Sequence, residues 1–225
     1  MSREINIGFL VYPDVIQLDV MGAYQVLSFP PDVKIHLVWK TSKPIESNEG
    51  LIITPTQTFD SCPTLDVICV PGGGIGQVRV MQDRAVLDFL QQISLKAQYI
   101  TSVCTGSLIL AKANLLNGYQ ATCHWAFREH LSALGVEVVP ERVVIARNRI
   151  TGAGVTSGID FGLVLVGKIW GEQTAKMTQL MMEYDPQPSF NTGTPKTAGK
   201  SLVKSLKKIG SPLIEAFWTA VNSSD

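Results

Sequence analysis

The amino-acid sequence predicts an α/β fold in which helices cover both faces of a mostly parallel sheet. Short runs of β-branched and aliphatic residues alternate along the chain with segments of helical periodicity. These runs are continuously apolar, which is typical of strands buried on both faces of a parallel sheet. With 225 residues, 45% of them hydrophobic and 17% charged, the chain can bury a sizeable core. The pattern therefore predicts a doubly wound α/β domain.

The first half of the chain predicts a regular strand and helix alternation. The run "INIGFLVY" (Ile5–Tyr12) predicts the first strand, which the turn at Pro13-Asp14 ends. Apolar residues at helical spacing then predict a helix over Leu18–Leu27. By the same reasoning, the elements that follow are strands over Val33–Lys40 and Leu65–Gly74, an amphipathic helix over Asp83–Ala97, and a strand over Tyr99–Val103.

The second half predicts one hairpin and longer helices. In "ERVVIARNRITGAG" the polar pair Arg147-Asn148 marks a hairpin turn. A long, mostly apolar helix follows over Thr156–Tyr184, with a break near Gly171. Glycine and proline become frequent over Asp185–Pro195, so we expect the α/β domain to span residues 1–195. Residues 196–225 are predicted to form a helical extension with one helix over Ala198–Val221.

Composition excludes several classes of protein. Lys+Arg and Asp+Glu each total 19, so the net charge of zero gives no electrostatic reason to expect nucleic acid or an anionic membrane as partner. No apolar run reaches the roughly 20 residues that span a bilayer, and the N-terminus has no secretion-signal pattern. The four irregularly spaced cysteines and three scattered histidines predict neither disulfides nor a metal site, which favours a reducing cytoplasmic location.

Candidate site residues follow the predicted strands where those strands end. Asp19 comes after the first strand, Gly72-Gly73-Gly74 end the third, and Cys104 ends the fourth. Ligands of open α/β sheets bind beyond the carboxyl ends of the strands. We therefore expect these residues to meet in space, although they are far apart in sequence.

Cys104 occupies a strand-to-helix corner in "YITSVCTGSLIL". A helix N-terminus offers free N–H groups and a positive dipole, both of which favour the thiolate. The backbone amides of Thr105, Gly106 and the glycine cluster predict a pocket for developing negative charge, as in a nucleophile elbow with cysteine in place of serine. Two simpler interpretations stay open: Cys104 as a small core residue, and Asp19 as a helix N-cap. Cys69, inside its predicted strand, is expected to be core packing.

Several segments resemble the DJ-1/PfpI superfamily, and most closely its isocyanide hydratase branch. The segments are "IGFLVYPDVIQLDVMG", "LDVICVPGGG", "YITSVCTGSLIL", "ATCHWAF", "ITGAGVTSGIDFGL" and "EYDPQPSFNTGTP", in the family's order. They extend from about Ile5 to about Pro195. The resemblance implies a flavodoxin-like fold, similar to class I glutamine amidotransferases, in a homodimeric and cofactor-free enzyme.

The resemblance also implies the reaction, which is addition of water to an isocyanide to give an N-substituted formamide. Cys104 corresponds to the nucleophile that forms a covalent thioimidate, and Asp19 to the acid/base, with a pKa raised by burial and by the neighbouring thiolate. The implied catalytic set is Cys104, Asp19 and Thr105; the implied substrate-binding set is Gly72, Gly73 and Thr156, to which the local argument adds Gly106.

Other activities stay open from the sequence. Glyoxalases, deglycases and amidases of the superfamily usually have glutamate where this chain has Asp19. A redox sensor would oxidise Cys104 to the sulfinate. A regulator's ligand-sensing domain is disfavoured, because the roughly 30 residues after Pro195 are too few for a helix-turn-helix module. His124 is within reach as a base, but the hydratase branch relies on its carboxylate.

Overall fold

A computed structural model describes residues 3–223 and has the alternating architecture that the sequence predicts. The strands are β1 (Ile5–Leu10), β2 (Val33–Trp39), β3 (Ile45–Glu46), β4 (Ile52–Ile53), β5 (Gln57–Thr58), β6 (Val67–Val70), β7 (Tyr99–Val103), β8 (Gln120–Ala121), β9 (Glu137–Val138), β10 (Val143–Ala146) and β11 (Arg149–Gly152). The helices are α1 (Gln17–Leu27), α2 (Ile75–Val80), α3 (Arg84–Ser94), α4 (Gly106–Lys112), α5 (Arg128–Ala133), α6 (Ser157–Trp170), α7 (Glu172–Met181), α8 (Pro195–Ile209) and α9 (Ser211–Asn222).

Seven of these strands, all within residues 3–223, form the central sheet in the order β10-β11-β7-β6-β1-β2-β5. Every pair in it is parallel except β10–β11. The order β2-β1-β6-β7-β11 is the flavodoxin-like order, in which the chain reverses direction across the sheet beside β1. The predicted doubly wound, mostly parallel fold is therefore confirmed.

The hairpin and the long broken helix also form where the sequence predicts them. Strands β10 and β11 pair through the turn at Arg147-Asn148, and Arg147 has a φ of 57°. Helices α6 and α7 meet at Gly171, whose φ of 91° is in the region that favours glycine. Four short strands, β3, β4, β5 and β9, and helix α2 were not predicted, because elements of two to six residues show no measurable periodicity.

The prediction of one helix over Ala198–Val221 is wrong. Helix α8 ends at Ile209 and α9 begins at Ser211, where Pro212 lacks the N–H that a continuous helix needs. Helix α9 then packs against α2 and α5. Its Phe217 is fully buried, and its Trp218 ring stacks on His130 with ring centroids 4.0 Å apart. In the described part of the chain, no helix has the length and apolar composition needed to cross a bilayer.

Helices α1 and α6 pack closely on one face of the sheet. The absence of a side chain at Gly162 permits this approach, because a Cβ there would lie 2.9 Å from the Cβ of Val26. Gly167, one and a half turns further along α6, has more room. A Cβ there would lie 3.7 Å from the nearest atom, the Cβ of Ala175, which is an ordinary contact.

We expect Gly162→Ala to lower the free energy of unfolding by roughly 1–3 kcal/mol, because the methyl group forces α1 and α6 apart. Gly167→Ala on the same helix is the control, and its better helix propensity should raise stability by up to about 1 kcal/mol. Urea unfolding of both variants measures the difference. Equal effects of the two substitutions would contradict this account of the α1–α6 contact.

Candidate active site

Cys104 lies at a sharp corner between β7 and α4. Its φ of 61° is left-handed, a conformation that costs roughly 1–2 kcal/mol in a residue with a side chain. The Cys104 N–H donates to the carbonyl oxygens of Ala153, at 2.8 Å, and Gly152, at 3.2 Å. Gly106 packs so closely under the corner that a Cβ there would lie 2.0 Å from the carbonyl oxygen of Val70. The neighbouring strands therefore hold the corner in its strained conformation.

Asp19 lies in the first turn of α1 and is 1% exposed. The N-cap of that helix is Ile16, and no side chain caps it, so the interpretation of Asp19 as an N-cap is wrong. Its Oδ2 accepts a hydrogen bond from the Gly72 N–H at 2.9 Å. Its Oδ1 is buried and accepts no hydrogen bond of standard geometry from the described residues, while the carboxyl group interacts with the Cys104 thiol.

Burial controls the protonation of this pair. It raises the pKa of Asp19 to about 7, against the smaller lowering effects of the Gly72 N–H and the Cys104 thiol. Burial, followed by the charge of Asp19, raises the pKa of Cys104 well above its usual range, although the Thr105 N–H opposes the shift. The prediction of a raised Asp19 pKa is confirmed, with burial as its cause. The prediction that the corner favours a free thiolate is wrong, because desolvation outweighs the helix amides.

The glycine cluster faces inward. Gly72 is in contact with both catalytic candidates, since a Cβ there would lie 2.5 Å from Thr105 Oγ1 and 2.8 Å from Asp19 Oδ2. The Gly72 N–H donates to Asp19, and the Gly73 N–H donates to Gln77 Oε1 at 2.7 Å. These two amides, predicted to be donors to a substrate, are therefore engaged within the protein and position its side chains.

Gln77, in α2, connects the glycine cluster to Thr105, and the sequence did not predict this role. It is fully buried, its Oε1 accepts from Thr105 Oγ1 at 2.6 Å, and its Nε2 donates to the Thr105 carbonyl oxygen at 2.7 Å. Gln77 thus joins the glycine loop to the residue after Cys104. The available signal was a polar residue inside "GGGIGQVRV", directly after the glycine cluster. Thr105, which was predicted, is held through both its hydroxyl and its carbonyl.

A cleft of about 790 Å³ borders the backbone of the Cys104 corner, and the Cys104 side chain itself is not part of its lining. Two of its lining residues hydrogen-bond to the Cys104 backbone: Ala153 through its carbonyl and His124 through its N–H. Thr156, at the start of α6, also lines the cleft, and its Oγ1 accepts from Arg142 at 3.3 Å. The lining consists of His124, Trp125, Arg128, Pro140, Glu141, Arg142, Ala153–Thr156 and Gly193–Lys196.

His124 is a neutral side chain in this site. Burial and the positive charge of Arg128 lower its pKa to about 4, and its Nδ1 accepts from the Ala126 N–H at 3.3 Å. A group with such a pKa is a weak proton acceptor at neutral pH. Cys69 is buried inside β6 with a pKa raised to about 12, which confirms it as a core residue.

Comparison with known proteins gives relatives of this chain over nearly its whole length. The DJ-1/PfpI family model matches residues 6–168. The isonitrile hydratase of Pseudomonas putida is 48% identical over 212 residues, which are 94% of this chain and 92% of that protein.

Solved structures agree with this match. A ThiJ/PfpI family protein from Pseudomonas syringae superposes with a TM-score of 0.95 at 41% identity, over 99% of this chain and 92% of that one. Oxidized DJ-1 of Toxoplasma gondii, at 19% identity, shares the fold with a TM-score of 0.73 over 81% of this chain and all of its own. The protein belongs to the DJ-1/PfpI family.

Proposed function

We propose that this protein is an isocyanide hydratase, which adds water to an isocyanide to give an N-substituted formamide. The observation that carries the proposal is the buried pair of Cys104 and Asp19, a soft nucleophile beside a carboxyl group whose pKa of about 7 suits proton transfer at neutral pH. The similarity to the P. putida isonitrile hydratase supports the same activity.

In the first step, Cys104 Sγ forms a bond to the isocyanide carbon. A carbon–nitrogen π pair moves onto nitrogen, and the lone pair of the carbon takes the thiol proton, which Asp19 passes on. The product is a covalent thioimidate, R–N=CH–S. Because the thiol gives up its proton as sulfur attacks, the step does not require a free thiolate in the resting enzyme.

In the second step, water adds to the thioimidate carbon. Asp19 takes a proton from the water and delivers it to the nitrogen, to give R–NH–CH(OH)–S. The C–S bond then breaks, the hydroxyl proton returns to the Cys104–Asp19 pair, and the formamide R–NH–CHO leaves. We assign Thr105 and Gly106 to positioning at the corner, Gly72 and Gly73 to holding Asp19 and Gln77, and Thr156 to the substrate cleft.

The assembly and location in the cell are part of the same proposal. A homodimer is supported by large apolar side chains that are exposed on α7, α8 and the segment between them, namely Met177, Leu180, Met181, Phe190, Leu206 and Ile209. Residues 196–225 are proposed as an extension added to an α/β domain of residues 1–195. A cytoplasmic location, with no cofactor, remains our prediction.

The activity test offers the purified protein an alkyl isocyanide and, in parallel, methylglyoxal. We expect formamide from the isocyanide, and a loss of at least about 10³-fold in Cys104→Ala and of about 10²-fold or more in Asp19→Asn. Cys69→Ala, a buried cysteine outside the site, is the control and should keep its activity. Turnover of methylglyoxal alone would favour a glyoxalase, and ready sulfinate formation without turnover would favour a sensor.

The buried carboxyl of Asp19 also predicts a pH-dependent stability. Its folded pKa of about 7 exceeds the unfolded value of 3.8, so between about pH 4 and 7 the folded state holds a proton that the unfolded state has lost. Asp19 therefore contributes a fall in stability of up to about 4 kcal/mol as the pH rises through that window, while His124, whose pKa is lowered to about 4, contributes a rise over about pH 4 to 6.5. Asp19→Asn should remove only the Asp19 contribution, so that its stability rises more steeply with pH than that of wild type, whereas Asp60→Asn, at an exposed carboxyl, should follow wild type. The free energy of unfolding in urea is measured at several pH values. The same dependence on pH in wild type and Asp19→Asn would contradict the assigned protonation.

A further inference from the structure

Arg128 carries a charge that no acid among residues 3–223 compensates. It lines the cleft at the start of α5, and its Nε is buried without a hydrogen-bond partner. Within residues 3–223, no ion pair or side-chain hydrogen bond reaches its guanidinium group. Burial of this Nε costs free energy, because its N–H has lost water and gained no acceptor.

The other arginine of the cleft shows the contrast. Arg142 donates to Asp160 Oδ2 from Nε at 2.8 Å and from Nη2 at 2.6 Å, and the same oxygen accepts from the Tyr184 hydroxyl at 2.9 Å. Its charge is therefore neutralised by the fold. Arg128 shares the cleft, but no acid in the described part of the chain pairs with it in the same way.

The remaining charges of the cleft are exposed. Lys196 and Glu141 lie among its lining residues, and both side chains are open to solvent. Their effects are therefore screened by water. Among the charges of the cleft, Arg128 lies close enough to lower the pKa of Cys123 and of His124, whose N–H donates to the Cys104 carbonyl oxygen.

We propose that the cleft takes isocyanides whose N-substituent ends in a carboxylate, and that Arg128 binds that carboxylate. The inference rests on the proposed hydratase function and names its substrate class. A planar guanidinium matches a carboxylate with two parallel hydrogen bonds, and a carboxylate supplies the acceptors that Arg128 lacks. Trp125, Pro140 and Val155 give the same cleft apolar surface for the carbon chain between the two ends of the substrate.

A carboxylate bound at Arg128 would help to orient the substrate in this reaction. An isocyanide group is small, uncharged and offers few polar contacts, so the enzyme must obtain its orientation from the rest of the substrate. A carboxylate held at Arg128 fixes one end of the molecule, which places the isocyanide carbon beside Cys104 in a repeatable geometry. Arg128 is thus a binding and specificity residue, while proton transfer stays with Asp19.

The experiment compares isocyanoacetate, 4-isocyanobutanoate and 6-isocyanohexanoate with their uncharged methyl esters. We expect wild type to prefer the carboxylate of at least one pair by about tenfold to hundredfold in kcat/KM, the value of one charge-assisted contact. Arg128→Met should abolish the preference, and the ratio of carboxylate to ester turnover within the same variant reports this apart from any general change in activity. Arg128→Lys should keep part of the preference, because it keeps the charge but loses the planar fork. Lys196→Met, at the exposed rim, is the matched control and should keep it.

Two further readouts separate the possible failures. Circular dichroism melting verifies that each variant folds, and calorimetry with N-formyl-β-alanine against its methyl ester measures carboxylate binding without turnover. Hydration of the esters with no carboxylate preference in wild type, or a preference that Arg128→Met retains, overturns the inference and leaves the proposed function intact. If no isocyanide is hydrated, the proposed function fails, and the substrate class fails with it.

Discussion

The burial of one carboxyl group against one thiol is the constraint on which the rest of the site depends. Asp19 and Cys104 come from different elements and are almost inaccessible to solvent, so neither can ionise without losing the stabilisation of water. Two negative charges at this spacing would repel each other in a medium of low dielectric. The pair therefore acts as a unit that holds and moves a proton, and its apparent pKa values belong to both groups together.

The surrounding backbone has the form that this pair requires. Gly72 brings a peptide N–H to the carboxylate, and the Cβ of any other residue would collide with Thr105 and Asp19. Gly106 lets α4 begin directly against the end of β6. Both contacts lie at the carboxyl ends of neighbouring parallel strands, where the flavodoxin-like order reverses and leaves a crevice. Gln77 closes the arrangement by binding the glycine loop and Thr105 at once.

The sequence could predict the longer elements and the raised pKa of Asp19, but not the protonated state of the Cys104 thiol or the contacts of Gln77. The apolar strand runs, the hairpin at Arg147-Asn148 and the break at Gly171 depend on neighbouring residues in the sequence. Such elements can therefore be predicted from short-range patterns. The direction of the Cys104 pKa depends on how many atoms surround the sulfur, which no spacing in the sequence reports. Likewise, the hydrogen bond from the Gly72 N–H to Asp19 and the contact of Gln77 with Thr105 join segments that are far apart in the sequence, and no local pattern reports them.

The same site explains why aspartate, one methylene shorter than glutamate, stands at position 19. The carboxylate reaches the Gly72 N–H at 2.9 Å while the Gly72 α-carbon closes the space behind it. A side chain one methylene longer, from the same turn of α1, would carry its oxygens past that N–H unless the loop lay further away. A Cβ on Gly72 would already lie 2.5 Å from Thr105 Oγ1, so the loop stands close to Thr105 on its other side. The reach of the acid is therefore matched to the position of the glycine loop, and a longer acid at position 19 would need a different approach of that loop.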